Sequence, residues 1–139
     1  MNENQADISN KVMIYKTQQV MTASPQELVM MLYNGAIRFV TESIRAIEAK
    51  ELSKAHEANI RAQNIVRELM NSLDMNNEVS QGLYQLYDYL EFRLIQANVK
   101  KDPEQLEEAK TMLTELRDTW FQAMKVARGQ EVVEVAKTG

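Results

Sequence analysis

A helix start followed by six consecutive apolar residues is the feature that most constrains how this chain can fold. Ser24 suits an N-cap, Pro25 suits the first helical position, and Glu27 completes a capping box. The apolar run extends from Leu28 to Tyr33. Because successive helical residues are about 100° apart, six in a row cover every side of the helix. One side can face a bundle core, and the remaining apolar surface needs a second cover.

The composition favours long helices in a single folded domain. The 139 residues include only four glycines and two prolines, and both prolines stand at predicted helix starts. Hydrophobic residues make up 45% and charged residues 26%, which is ordinary for a globular domain with a core. There is no cysteine, so disulfides, thiol catalysis and Cys-ligated zinc are excluded. This usage fits a reducing compartment.

Apolar residues recur with the helical period in four long segments, over about 25–50, 53–73, 77–100 and 103–128. The connections between them are short, which implies antiparallel neighbours. The predicted fold class is therefore all-α, an antiparallel up-and-down four-helix bundle.

The two ends of the chain are predicted to lie outside the bundle. Ile8, Val12 and Tyr15 have helical spacing, so residues 1–23 are expected to form a partly ordered, short helical or extended segment packed on the bundle. Gly129 is expected to stop the last helix. The predicted organisation is an N-terminal segment 1–23, a bundle 24–128 and a flexible tail 129–139.

Helical spacing also assigns inner and outer sides. On the first long helix, Leu28 and Leu32 are expected in the core, whereas Met30 and Tyr33 lie off the stripe. On the third, the predicted core stripe runs through Leu83, Leu86, Leu90, Leu94 and Ala97. The aromatic residues beside it are Tyr84, Tyr87, Tyr89 and Phe92.

The apolar residues that lie off the core stripes have two interpretations. The residues could cover the core or bury against residues 1–23. Alternatively, they could form a groove for apolar helical segments of another protein. The nine methionines of the chain suit a surface that adapts its shape to a partner. Both hold if residues 1–23 cover the groove until a partner displaces them.

Several other functions are excluded or disfavoured by the sequence. The net charge is −4 with acids and bases interspersed, which argues against a nucleic-acid surface. No apolar run reaches a membrane span, and the N-terminus does not resemble a signal peptide. His56 is the single histidine and lacks the Glu-x-x-His pattern of a di-iron bundle, so it is interpreted as a surface residue. No constellation indicates a catalytic, metal or cofactor site, and the chain is predicted not to be an enzyme.

A series of motifs, found in order along the chain, resembles the FliS family of flagellin-specific export chaperones of bacteria. The opening motif lies at residues 22–39, and Tyr15 corresponds to the N-terminal tyrosine of the family. The resemblance covers residues 15–124. Its further motifs are Ala46-Ile47-Glu48, Arg61-Ala62-Gln63, Glu68-Leu69, Ser72-Leu73-Asp74, Leu86-Tyr87-Asp88-Tyr89, Ala97-Asn98 and Leu116-Arg117-x-x-Trp120.

The resemblance implies a function beyond what periodicity predicts. It implies a cytoplasmic four-helix bundle that binds the C-terminal segment of flagellin, blocks its premature polymerisation and keeps it competent for flagellar type III export. It also allows a partner in the export apparatus or among flagellar regulators, and a free protein that is a monomer or weak dimer. The alternative is a non-enzymatic homo-oligomer with a structural or regulatory role. Residues expected at the partner surface are Tyr15, Met30, Tyr33, Leu69, Leu73, Tyr84, Tyr87 and Asn98.

Overall fold

The chain forms five helices in a computed structural model, which describes the backbone of residues 3–138 and the side chains of residues 7–129. No strand occurs among the described residues. The fold class predicted from periodicity is confirmed as an all-helical bundle. The helices are α1 (Glu3–Thr22), α2 (Pro25–Glu48), α3 (Leu52–Asn71), α4 (Glu78–Lys100) and α5 (Pro103–Thr138).

Helices α2 to α5 form the bundle. Each packs against its two neighbours in a closed ring, so that α2 contacts α3 and α5, and α4 contacts the same two helices. The core lies on the common axis and consists mainly of leucine, alanine and valine, with one tyrosine from each of α2 and α4. Short connections make consecutive helices antiparallel, and this brings the start of α2, the end of α3 and the start of α4 to one end.

The helix starts predicted at the two prolines are present, and side chains cap α2, α4 and α5. The Ser24 Oγ accepts a hydrogen bond from the Glu27 N–H at 3.2 Å. The Asn77 side chain caps α4 by accepting from the Ser80 N–H at 2.8 Å. Asp102 accepts from the Glu104 N–H at 3.0 Å at the start of α5. These bonds satisfy N–H groups that have no partner inside the helix.

The inner side of α2 differs from the prediction. Tyr33 and Val40 are buried, whereas Leu28 and Leu32 are only half-buried. The prediction that Leu28 belongs to the core and Tyr33 to the outer side is therefore wrong, whereas Leu32 packs against the core as predicted. Six apolar residues in a row carry no periodicity, so their spacing could not fix which side faces inward.

The inner side of α4 follows a regular alternation of three and four residues. Leu90, Leu94 and Ala97 are buried as predicted. Tyr87 is 2% exposed and Leu86 is 42% exposed, so the predicted positions of these two neighbours are reversed. The alternation places position 87, and not position 86, in register with Leu83 and Leu90.

The two ends of the chain also differ from the prediction. The N-terminal segment is the long helix α1, but its described side chains, at residues 7–22, are all exposed and it forms no extensive interface with the bundle. It is therefore not packed on the bundle in this structure. Helix α5 continues beyond Gly129 to Thr138, so Gly129 does not stop it. Gly129 does not have the positive φ that a helix-ending glycine adopts.

Candidate functional site

A continuous apolar groove lies at the end of the bundle where α2 begins and α3 ends. It consists of two adjoining cavities of about 470 Å³ each, which share Val29, Ser72 and Trp120. The Trp120 indole N–H donates to the Gln26 carbonyl oxygen at 3.2 Å, and this fixes one wall against the first turn of α2. We call this surface the end groove. Its apolar lining comprises Pro25, Leu28, Val29, Leu32, Leu69, Leu73, Val79, Leu83, Tyr87 and Trp120.

The charged residues that line the end groove are acidic. Glu68 and Asp74 are the charged residues of its lining, and no lysine or arginine is among the described residues that line it. Neither carboxylate forms an ion pair among the described residues, although Asp74 accepts from the Asn76 N–H at 3.1 Å. An apolar floor with acidic edges suits a helix that has an apolar side and basic flanks.

A buried pair of tyrosines supports the floor of the end groove. The hydroxyls of Tyr33 on α2 and Tyr87 on α4 share a hydrogen bond, and the two rings are tilted by 54° with their centroids 6.4 Å apart. Burial raises the pKa of both hydroxyls above the ordinary value, so both are neutral at physiological pH. The pair connects two helices that face each other across the bundle axis and so fixes the spacing of the groove walls.

The structure divides the eight residues predicted at the partner surface into three groups. Leu69, Leu73 and Tyr87 line the end groove, where Leu69 and Tyr87 form its floor and are no more than 2% exposed. Tyr33 lies beneath the floor and is also in the core. The others lie away from the groove: Tyr15 on α1, Met30 on another side of α2, Tyr84 on the exposed side of α4 and Asn98 at the opposite end of the bundle.

Seven of the ten apolar lining residues were not predicted at the partner surface: Pro25, Leu28, Val29, Leu32, Val79, Leu83 and Trp120. Val29 is one of the six apolar residues of α2, and Val79 stands alone in the first turn of α4. Leu83 was predicted in the core stripe of α4, and both Leu83 and Trp120 are half-buried at the edge of the core. The available signal was position: apart from Trp120, which lies within α5, these residues fall in the first eight residues of α2 or the first six of α4, and antiparallel packing brings these helix starts to one end of the bundle.

A second pocket, of about 510 Å³, lies between α2 and α3 at the other end and has a different character. The buried Ala46 and Ala58 lie in its floor, and its rim carries Ala49 and charged residues of both signs. The Phe39 ring at its edge is flanked by the guanidinium groups of Arg38 and Arg61, at 4.9 and 5.6 Å from the ring centroid. This balanced, solvated rim offers less apolar contact than the end groove.

His56 and Asn98 form a contact between α3 and α4 on the surface. Their side-chain nitrogens lie 2.9 Å apart, and the Asn98 Oδ1 accepts from the Lys101 ammonium at 2.6 Å. His56 is exposed, as its sequence context predicts. Among residues 7–129, no group of three or more His, Cys, Asp or Glu could hold a metal ion. No helix in the described part of the chain is long and apolar enough to cross a membrane.

Comparison with known proteins relates the bundle to one family. The family model for flagellar protein FliS matches residues 8–127. The flagellar secretion chaperone FliS of Bacillus subtilis is 40% identical over 121 residues, which cover 87% of this chain and 91% of that protein. The flagellar secretion chaperone FliS of Salmonella typhimurium is 34% identical over 115 residues, or 81% and 85% of the two chains.

A solved structure agrees with the fold. It is described as a flagellar chaperone from bacteria, and it superposes with a TM-score of 0.68 over 81% of this chain and 97% of that chain. The two sequences are 18% identical, so this likeness supports the architecture of the bundle.

Proposed function

Because this chain belongs to the FliS family of flagellar secretion chaperones, we propose that its client is flagellin and that the end groove binds the C-terminal segment of that client. The family consists of chaperones and not of enzymes. The observation that carries the proposal is the end groove itself, an open apolar surface with two acidic residues and a rigid floor. A partner helix with an apolar side would fill it.

The excess of apolar side chains at the start of α2 supports the assignment of the end groove to the client. Leu28, Val29 and Leu32 are half-buried and line the groove, so the bundle leaves part of each apolar side chain uncovered. Covering apolar surface contributes about 25 cal/mol for each Å² removed from water. The client therefore supplies the second cover that this helix needs.

The proposed mechanism is folding of the client upon binding. A disordered flagellin segment would become helical on the bundle, which costs several kcal/mol and requires an extended apolar contact. While bound, the segment could not pair with other flagellin molecules, so polymerisation before export would be blocked. This action belongs in the cytoplasm and delivers flagellin to the type III export apparatus, whose components or regulators are possible further partners.

Four residues stay predictions as additional contacts with the client: Tyr15, Met30, Tyr84 and Asn98. They are at least partly accessible, and an extended client could reach them beyond the ends of the groove. Tyr33 is no longer proposed as a direct contact, because its side chain is 2% exposed. We assign it the role of supporting the floor through Tyr87.

Co-purification of the chaperone with flagellin tests the function. Full-length flagellin should be retained by the tagged chaperone, and flagellin that lacks its C-terminal segment should not. Equal retention of both forms would contradict the assignment of the client segment. A tight dimer that ignores flagellin in sedimentation would favour the rival function, a structural or regulatory homo-oligomer.

A further inference from the structure

Three buried polar side chains lie inside the bundle, away from the end groove. Ser43 and Asn59 are each 1% exposed and Gln63 is 7% exposed. The other buried residues of α3 are alanine, valine and leucine, so the two amides occupy positions where apolar side chains would complete the core. A buried amide is tolerated only where it is hydrogen-bonded, and it stabilises less than an apolar side chain of its size. The bonds that these amides form therefore indicate what they contribute instead.

The Asn59 amide joins α3 to α4. Its Nδ2 donates to the Leu94 carbonyl oxygen at 3.0 Å, and its Oδ1 accepts from the Gln63 Nε2 at 2.8 Å. The bond from Gln63 fixes which end of the Asn59 amide points at α4. A carbonyl oxygen has two lone pairs, so Leu94 can accept this bond in addition to the one within its helix.

The acceptor on α4 is one that the neighbouring turns cannot replace. In a helix each side chain covers the turn before it, so the carbonyl of Leu94 lies beneath Ala97, which is small. One turn earlier, the carbonyl of Leu90 lies beneath the larger side chain of Leu94. One turn later, the Asn98 carbonyl oxygen already accepts from the Lys101 ammonium at 2.7 Å. A slip of α3 by one turn in either direction therefore leaves the buried amide without its acceptor, which is costly.

The rest of the α3–α4 pair restricts axial sliding less strictly. Residues 72–77 join α3 to α4, whereas the shorter segments 49–51 and 101–102 join the other consecutive pairs of the bundle. A longer connection can take up a larger displacement of its helices. The buried side chains of the first half of α3 include Ala55, Ala58 and Ala62, and such small side chains form shallow knobs that distinguish poorly between one turn and the next.

From these features we propose that Asn59 is a positioning residue, which sets the axial register of α3 on α4 and so aligns two walls of the end groove. Leu69 and Leu73 of α3 line that groove opposite Leu83 and Tyr87 of α4. A slip of one turn, about 5.4 Å, would separate residues that the groove now brings together. The effect on the client rests on the proposed function, whereas the register itself involves no client.

Replacement of both amides separates register from stability. Asn59→Leu combined with Gln63→Leu leaves no unpaired amide in the core, so the melting temperature should stay the same or rise. The matched control is Ser43→Ala, since the Ser43 Oγ donates to the Ala55 carbonyl oxygen at 2.9 Å between α2 and α3. This control also removes a buried hydrogen bond, and it should lower the melting temperature without any change of register between α3 and α4.

Thiol cross-linking measures the register, because the chain has no cysteine of its own. Arg67 and Glu91 meet across α3 and α4, with the Arg67 Nη2 3.1 Å from the Glu91 Oε1. A short bifunctional thiol reagent should therefore join Arg67→Cys to Glu91→Cys in the native register. It should join Arg67→Cys to Asp88→Cys or to Ile95→Cys after a slip of about one turn.

With the native core or with Ser43→Ala, the pair at 67 and 91 should react in preference to both slipped pairs. In the double leucine variant the slipped pairs should gain at the expense of the native pair. The affinity for the C-terminal segment of flagellin should fall by the same factor as the fraction in the native register, so a population that is half slipped binds about twofold more weakly. If the two leucines prevent folding, Asn59→Ala provides the same comparison.

Two cross-linking results would overturn the role of Asn59: a double variant that reacts only at the native pair, or slipped pairs that react as readily with the native core. A slipped register with unchanged affinity for the flagellin segment would overturn the alignment of the groove walls. A wild-type chain that shows the expected cross-links but never binds flagellin would contradict the proposed function alone.

Discussion

At the scale of single residues, the positions of the tyrosines decide how the site is built. Tyr33 and Tyr84 are of one type and both lie on amphipathic helices, yet one is 2% exposed and the other 41% exposed. Residue type and spacing cannot distinguish the buried tyrosine from the exposed one. Tyrosine suits a partly solvated surface as well as a core that offers its hydroxyl a hydrogen-bond partner. The deciding fact is the Tyr33–Tyr87 hydroxyl pair, which forms only when α2 and α4 face each other in the bundle.

A double-mutant cycle on Tyr33 and Tyr87 tests the hydrogen bond between their hydroxyls. Tyr33→Phe should lower the free energy of unfolding by about 1–3 kcal/mol, because it leaves the Tyr87 hydroxyl buried without its partner. Tyr87→Phe should have a similar effect. The double variant should lose much less than the sum, since no unpaired hydroxyl is left. Urea unfolding monitored by circular dichroism measures all three.

The control for the cycle is Tyr84→Phe, which removes an exposed hydroxyl from the same helix and should change the free energy of unfolding by less than about 0.5 kcal/mol. Strictly additive losses in the double variant would contradict a direct bond between the two hydroxyls.

At the scale of the helices, starts were easier to predict than ends. Ser24 accepts a hydrogen bond from a free N–H group as predicted, and Asn77 and Asp102 do the same at the starts of α4 and α5. Helix ends rely on backbone conformation, and Gly129 shows that a glycine alone does not impose one. The inner sides of α3 and α5 can be located from the sequence because their buried residues are periodic, as in Ala62, Val66 and Leu69 on α3 and Leu106, Ala109 and Leu113 on α5. The inner side of α2 was not, since an unbroken apolar run has no period.

Two glycines within the bundle helices provide a matched test of helix packing. Gly82→Ala should stabilise the protein by about 0.5–1 kcal/mol, because alanine restricts the unfolded chain and the added Cβ meets no atom within 4 Å. At Gly35 the same Cβ would lie 3.2 Å from the Ile65 Cδ1, so Gly35→Ala should stabilise less. Thermal and urea unfolding compare the two. An equal or larger gain at Gly35 would contradict the close packing of α2 on α3.

At the scale of the whole molecule, the bundle followed from four periodic segments and short connections. An excess of apolar surface was also predictable, but its location on the bundle was not. It depends on which helix ends share one end of the bundle and on the rotation of α2 about its axis. The prediction that residues 1–23 pack on the bundle is contradicted because the connection at Ala23–Ser24 directs α1 outward. Family membership, and not the site, supplies the assignment as a flagellar secretion chaperone.

If the end groove holds the client, a substitution in the groove should weaken the affinity of the chaperone for the isolated C-terminal segment of flagellin. Calorimetry should compare the wild type with Val79→Gln, which places a polar group in the groove, and with the matched Val99→Gln outside it. We expect binding to be about tenfold weaker for Val79→Gln and unchanged for Val99→Gln, with all three proteins equally stable. Equal affinity of Val79→Gln and the wild type would contradict it.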